Sequence, residues 1–195
     1  LKRPDTYVGS IEPVTWTNTN INDGELEVIP ALYKIFDEVL VNASDNISRG
    51  KTTKIEVYIT DKAFTVYNDG KCVPVAKHKK EKMWTPTLVF GHLRTSNNYD
   101  DKEERLTGGR NGYGAKLANI FARIYKVSIW DHRKKTRFIQ VWENNMSKVG
   151  TPEITKYKGT NSRTLVECAV DLEKFGIDSI PEATKAMMKL SLIHI

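Results

Sequence analysis

The sequence predicts an α+β fold in which helices cover one face of a sheet. A helix, a hairpin and two more helices come first along the chain, and several strand-like segments then follow one another directly. Such segregated runs of helices and strands are typical of a two-layer sandwich, whereas a doubly wound parallel sheet would alternate them. We therefore predict a two-layer α/β sandwich with a mixed, mostly antiparallel sheet and helices on one face.

The first helix is predicted by apolar residues that recur every three or four positions between Pro30 and Asn46. Glu38 and Asn42 lie one helical turn apart at the edge of this apolar stripe. Thr85-Pro86 is typical of a helix start, because proline is favoured in the first turn. Helices are thus predicted at 30–46, 85–93, 113–123 and 181–189.

The strands are predicted by alternation of apolar and polar residues. Ile55, Val57 and Ile59 alternate with polar side chains, a short turn follows, and a second alternating segment ends in the turn-prone Asn68-Asp69-Gly70. This pattern is typical of a hairpin. Further strands are predicted at 125–130, 137–143, 153–157 and 164–170.

Composition indicates one soluble domain with a basic surface. The chain has 195 residues, 39% hydrophobic and 28% charged, and an excess of 30 Lys and Arg over 24 Asp and Glu gives a net charge of +6. This charge, with the basic run Arg133-Lys134-Lys135, suits a polyanionic partner, although a solvated basic face would look the same. Cys72 and Cys168 match no metal or disulfide spacing, and no apolar run reaches membrane length.

A glycine-rich segment predicts a phosphate-binding loop. Four glycines fall within seven residues, from Gly108 to Gly114, and lead directly into a predicted helix. Glycines let backbone N–H groups approach an anion, and a helix start adds unpaired donors. A Walker loop is excluded because Leu117 follows Lys116 where a hydroxyl is required, and the dinucleotide fingerprint lacks its third glycine. A loop that merely caps a helix would explain one or two glycines, but not four.

Three segments carry a resemblance to a known family. They are 3–10 (RPDTYVGS), 33–43 (YKIFDEVLVNA) and 107–116 (TGGRNGYGAK). On these segments, the chain closely resembles the ATPase domain of type IIA DNA topoisomerases. The resemblance extends from Arg3 to about Phe175. That domain belongs to the GHKL (Bergerat-fold) superfamily, shared with gyrase, heat-shock chaperones, histidine kinases and mismatch-repair proteins. The segments are similar to the eukaryotic and large-virus branch rather than to bacterial gyrase.

The resemblance implies a role for each motif in binding ATP and Mg²⁺. Glu38 corresponds to the general base that activates the attacking water, and Asn42 to a magnesium ligand. Asn68 corresponds to the residue that reads adenine, and Thr164 to a hydroxyl that completes the adenine pocket. The polar segment 94–105 is expected to form a lid. Its ribose and phosphate contacts would be Ser96, Asn97 and Asn98.

The resemblance also implies that the loop from Gly109 to Lys116 wraps the phosphates, with Lys116 neutralising charge. The candidate backbone donors are those of Arg110, Asn111, Gly112, Tyr113, Gly114 and Ala115. One departure concerns Cys72, which stands where the family has the second glycine of its adenine turn. If that position requires a positive φ, the Cβ of Cys72 costs about 1 kcal/mol or more.

The implied function is the ATP-hydrolysing gate of a type IIA DNA topoisomerase, which closes as a homodimer on ATP binding and acts on duplex DNA. The expected location is the nucleus in a eukaryote, or the host nucleus or a cytoplasmic factory for a virus. We expect an ATPase domain at 1–189, with an N-terminal arm and a transducer domain outside this chain. Residues 190–195 match one reading frame of a transposon-type sequencing adaptor, so we expect them to lie outside the fold.

Two other functions remain open at this point. A chaperone or signalling ATPase of the same fold would share Glu38 and Asn42, but would not be expected to match the segment from Thr95 to Lys116. A non-enzymatic, basic nucleic-acid-binding module would explain the net charge of +6. It would leave the glycine loop without a role.

Overall fold

The computed structural model describes residues 5–17, 25–45, 53–92 and 114–192. Five helices lie in these segments: α1 (Asp5–Val8), α2 (Pro30–Ser44), α3 (Thr85–Gly91), α4 (Gly114–Ile120) and α5 (Glu182–Ser191). The strands are β1 (Val14–Trp16), β2 (Leu26–Val28), β3 (Ile55–Ile59), β4 (Ala63–Asp69), β5 (Ala122–Asp131), β6 (Thr136–Glu143), β7 (Lys148–Val149), β8 (Glu153–Lys156) and β9 (Arg163–Val170). No helix among the described residues is long and apolar enough to cross a bilayer.

Seven strands form the main sheet, in the spatial order β3-β4-β9-β5-β6-β7, and β8 also pairs with β6. Every described strand pair, including the separate β1-β2 hairpin, is antiparallel. The predicted α+β sandwich is confirmed. Strand β9 lies between β4 and β5 and pairs with both. Segments that are distant in the sequence therefore meet at the same end of the sheet.

Helix α2 forms the centre of the core. Its apolar stripe is buried over its whole length, and the rings of Phe36 and Phe64 meet edge to face with centroids 5.3 Å apart, which packs α2 on β4. Pro30 is the first residue of the helix, where proline is favoured because its missing N–H would be unpaired in any case. Because the stripe faces the sheet, the residues at its margin lie at the boundary between the core and the adjoining loops.

The structure corrects the predicted boundary between the fourth helix and the strand after it. Helix α4 ends at Ile120 rather than at Arg123, and β5 begins at Ala122 rather than at Tyr125. Ala122 already pairs with Val170, and the register between β5 and β9 shifts between Ala122 and Ile124. An apolar run of this kind fits a buried helix or a buried strand equally well, so periodicity could not place the boundary.

Helix α5 runs two residues past the predicted end at Lys189, and the Ser191 Oγ lies 2.8 Å from the Tyr33 Oη. Ser191 belongs to the segment 190–195 that was expected to lie outside the fold. The origin of that segment stays a prediction. A 3₁₀ turn at Leu172–Phe175, closed by Gly176 at φ 63°, was not predicted.

Candidate functional site

Helix α2 presents Glu38 and Asn42 side by side at the margin of its buried stripe, and both are half-buried. The Asn42 Nδ2 donates a hydrogen bond of 2.7 Å to the main-chain oxygen of Glu38. This bond fixes the amide and leaves its Oδ1 without a hydrogen bond among the described residues. An oriented amide oxygen is a ligand that suits Mg²⁺, so Asn42 fits the predicted metal-binding role.

The two carboxylate oxygens of Glu38 have different surroundings. Lys34, one turn earlier on α2, places its Nζ 2.8 Å from Oε1, and it also lies 3.3 Å from Asp37. Burial lowers the pKa of Lys34, but its hydrogen bonds and the charges of Glu38 and Asp37 together outweigh burial and raise it. Lys34 is therefore a cation at neutral pH and orients the Glu38 carboxylate.

The other oxygen of Glu38 faces the start of α4. A Cβ added at Gly114 would overlap Oε2, so only glycine allows the helix to begin this close to the carboxylate. Ala115 and Lys116, the next residues of α4, are buried. Asn119 holds α4 in place by donating a hydrogen bond of 3.0 Å to the main-chain oxygen of Phe90 at the end of α3. The fold thus brings the end of the glycine loop directly onto Glu38.

The two predicted adenine contacts are neighbours on the sheet. Asn68 at the end of β4 pairs in register with Thr164 at the start of β9. The two residues are 5% and 9% exposed and lie on the sheet face that the helices cover. Directly opposed residues of an antiparallel pair have Cβ atoms about 5 Å apart, so both can contact one flat ligand. The Asn68 Nδ2 donates to the main-chain oxygen of Asp69, at 3.0 Å.

The structure thus forms two groups of predicted site residues: Glu38, Asn42 and Gly114 between α2 and α4, and Asn68 with Thr164 on the sheet. The remaining predicted contacts lie outside the described residues: Ser96, Asn97, Asn98, Gly109, Arg110, Asn111, Gly112 and Tyr113.

The φ of Cys72 is not positive, so the backbone strain considered for this position is absent. Gly70, two residues earlier, makes the turn with φ 88°, and Cys72 is not one of the described non-glycine residues at positive φ. Its Sγ lies 3.9 Å from the Trp130 main-chain oxygen. Burial, followed by the nearby charge of Asp131, raises the pKa of the Cys72 thiol to about 11. The thiol is therefore protonated at neutral pH, and the position tolerates a side chain without backbone strain.

Sequence reasoning missed Lys34 as part of this site. Its spacing of four residues before Glu38 places both side chains on one face of α2, and that spacing was the available signal. It also missed Asp69, which accepts hydrogen bonds from the backbone N–H groups of Thr53 and Lys54 at 2.8 and 2.9 Å. These bonds anchor the chain beside Asn68.

Several known proteins are similar to this chain, although no protein-family model matches it. DNA topoisomerase 2 of Candida glabrata is 44% identical over 205 residues, covering 100% of this chain and 15% of the relative. DNA topoisomerase 2 of Pisum sativum is 46% identical over 203 residues, covering 100% of this chain and 14% of the relative. The crystal structure of the ATPase region of Saccharomyces cerevisiae topoisomerase II matches with a TM-score of 0.85 at 42% identity, covering 97% of this chain and 53% of that one.

A more distant structure shares the fold. The ATPase domain of Thermus thermophilus gyrase B matches with a TM-score of 0.69 at 17% identity, over 95% of this chain and 42% of that one. The chain spans only 15% of the length of the Candida glabrata relative, so it aligns with one region of that longer protein.

Proposed function

The chain belongs to the DNA topoisomerase 2 family and matches its ATPase region, and we propose that it binds and hydrolyses ATP with Mg²⁺. ATP binding and hydrolysis would close and reopen an entry gate for duplex DNA. The observation that carries this proposal is the contact between Glu38 and the start of α4. A carboxylate held by Lys34 on one oxygen, with its other oxygen against the end of a glycine-rich loop, is arranged for phosphate hydrolysis.

The proposed nucleotide orientation follows from the two groups of residues. Asn68 and Thr164 would hold adenine through hydrogen bonds to its edge, because both are buried polar side chains on the covered face of the sheet. Asn42 would bind Mg²⁺ through Oδ1. When bound, Mg²⁺ would draw phosphate oxygens together and reduce their negative charge.

Glu38 would act as the general base. Its Oε2 borders Gly114, so a water between this oxygen and a γ-phosphate at the glycine loop could give up its proton to the carboxylate. Lys34 would hold the carboxylate in that orientation throughout. Lys116 and the backbone donors from Arg110 to Ala115, most of them outside the described residues, would contact the phosphates.

The partners of the longer protein are part of the same proposal. We infer that ATP binding brings two copies of this region together as a homodimer, and that the longer protein passes one DNA duplex through another. For a eukaryotic source, its location would be the nucleus. The relatives support these assignments through their name, DNA topoisomerase 2.

The test uses the longer protein that contains this chain and a supercoiled plasmid. We expect relaxation that requires both ATP and Mg²⁺, because strand passage is coupled to gate closure. Sedimentation should show that a non-hydrolysable ATP analogue shifts the protein towards dimers. ATP hydrolysis without any relaxation would instead favour a chaperone or signalling ATPase. DNA binding without nucleotide binding would favour a basic nucleic-acid-binding module.

A further inference from the structure

One end of the sheet gathers an excess of cations, and we call it the basic end. It consists of segments 69–71, 131–137 and 156–163, which the fold joins: Thr136 pairs with Lys156, and the Tyr157 N–H donates to the Lys135 main-chain oxygen at 2.9 Å. These segments contain two carboxylates, Asp69 and Asp131, and eight cations. The cations are Lys71, Arg133, Lys134, Lys135, Arg137, Lys156, Lys158 and Arg163. This local excess equals the net charge of the whole chain, +6.

Most exposed cations of the basic end differ from other cations of the chain because they form no ion pair with a carboxylate among the described residues. Lys34, Lys126 and Lys148 each form an ion pair of 2.5–2.8 Å. Within the part of the chain that the structure describes, five exposed cations of the basic end form none: Arg133, Lys134, Lys135, Lys156 and Lys158. Asp131 is already used to close the turn, accepting from the backbone N–H groups of Val75, Arg133 and Lys134 at 3.0–3.1 Å.

Two further cations are held side by side on the sheet surface by an aromatic ring. Arg137, Trp130 and Arg163 are adjacent in register across β6, β5 and β9. The guanidinium carbons of Arg137 and Arg163 lie 5.1 and 4.4 Å from the centroid of the Trp130 ring. The Nε atoms of both arginines are buried and have no hydrogen-bond partner in the described segments. Two like charges fixed this close together favour an anion beside them.

The basic end also has a concave surface. A cleft of about 660 Å³ lies between the β5–β6 turn and the segment after β4. Lys71, His132, Arg133 and Lys134 line it, together with the polar side chains of Asn161 and Ser162. The His132 N–H donates to the Ser162 Oγ at 3.1 Å, which fixes the turn against the start of β9. Asp69 and Asp131 line the recess too, but both carboxylates accept backbone hydrogen bonds, from Thr53 and Lys54 and from Val75, Arg133 and Lys134 respectively.

We propose that the basic end binds the phosphate backbone of duplex DNA, at a surface that adjoins the proposed adenine contacts Asn68 and Thr164 without including them. Duplex DNA carries about one negative charge per 1.7 Å of its axis. Cations spread over a surface therefore complement duplex DNA better than they complement a single phosphate. Arginine stacked on Trp130 presents its donors in a fixed plane, which suits phosphate oxygens. The choice of DNA as the polyanion rests on the proposed function, whereas the surface itself does not depend on nucleotide binding.

The test measures binding of a fluorescent duplex of about 20 base pairs to the 195-residue chain by anisotropy at several salt concentrations. The variant carries Arg133→Gln, Lys134→Gln and Lys156→Gln, three exposed cations without ion pairs in the described segments. We expect its affinity at about 0.1 M salt to fall roughly 10-fold or more. The slope of log affinity against log salt should become shallower by about 2–3, since each phosphate that the protein no longer neutralises reduces the slope by about 1.

The matched control carries Lys62→Gln, Lys174→Gln and Lys189→Gln. All three lysines are exposed. Lys62 lies before β4 and Lys174 after β9, at the opposite end of the sheet, whereas Lys189 lies on α5. The change removes the same charge. The control should keep both affinity and slope. Equal losses in the two variants would overturn the proposal, as would wild-type binding that does not depend on salt. It would also be overturned if polyglutamate competed better than duplex DNA of equal charge.

Binding of an ATP analogue is measured on the same three proteins. The variant with three basic-end cations replaced should bind the analogue like wild type, because none of its changes lies in the proposed nucleotide site. A wild-type chain that binds DNA as expected but no analogue would count against the proposed function alone. Analogue binding with no effect of the basic end on DNA would count against this inference alone.

Discussion

Lys34, beside the proposed nucleotide site, and the exposed cations of the basic end differ in whether a carboxylate of the protein neutralises their charge. Lys34 lies 2.8 Å from Glu38 and is 40% exposed, so its charge is used inside the protein to orient a carboxylate. Arg133 and Lys134 are exposed and form no ion pair in the described part of the chain. Internal pairing prepares a group for chemistry, whereas unpaired surface charge is available to a partner. The difference distinguishes the proposed reaction site, on α2, from the proposed docking surface at one end of the sheet.

The largest expected effect comes from removing the base. In the longer protein, Glu38→Gln should retain binding of an ATP analogue while ATP hydrolysis falls by roughly 10²-fold or more, because the proton acceptor is lost and the phosphate contacts remain. Steady-state hydrolysis and analogue titration measure the two quantities. Turnover near the wild-type rate would remove Glu38 from the reaction.

The next effect concerns the contact between α2 and α4. Gly114→Ala should reduce hydrolysis by about 10-fold or more, since the new Cβ displaces the Glu38 carboxylate from its position. The free energy of unfolding should change by less than about 1–2 kcal/mol, because a flexible side chain can move aside and alanine favours the helix. Hydrolysis and thermal unfolding are measured together.

A double mutant provides the control for that contact. In a Glu38→Gln background, Gly114→Ala should cause little further loss of hydrolysis, because the group that it displaces no longer acts as a base. Additive losses in the double mutant would show that Gly114 acts through something other than Glu38.

The smallest effect is expected at Cys72. Because its φ is not positive, Cys72→Gly should leave analogue affinity unchanged and lower the free energy of unfolding by about 0.5–1 kcal/mol, since glycine gives the unfolded chain more freedom. Calorimetry and a melting curve measure these, with Cys72→Ala as the matched control for loss of the thiol. Tighter binding together with a higher melting temperature would show that Cys72 crowds the adenine turn after all.

The long elements could be predicted because their periodicity is strong. The stripe of α2 and the alternation of β3 and β4 each repeat several times, so the hairpin and the helix were expected within a few residues of their bounds. The strands β1, with three residues, and β7, with two, are too short to show a period and were missed. Their pairing partners form them, and those partners are known only from the fold.

The two parts of the site were predictable to different degrees. Glu38 and Asn42 are one turn apart on a helix, so their proximity follows from local geometry. The pairing of Asn68 with Thr164 joins segments almost a hundred residues apart, and their shared role came from the family resemblance. The stack of Arg137, Trp130 and Arg163 depends on the register of three strands, which no local pattern determines.

The most direct test of the central claim, a magnesium-dependent nucleotide site between α2, α4 and the sheet, is a calorimetric titration with a non-hydrolysable ATP analogue. Wild type should bind more tightly with Mg²⁺ than with a chelator. Asn42→Ala should lose most of that difference, because it removes the amide oxygen assigned to the metal. The variant with three basic-end cations replaced should titrate like wild type. An Asn42→Ala protein that keeps the full magnesium dependence would contradict the claim.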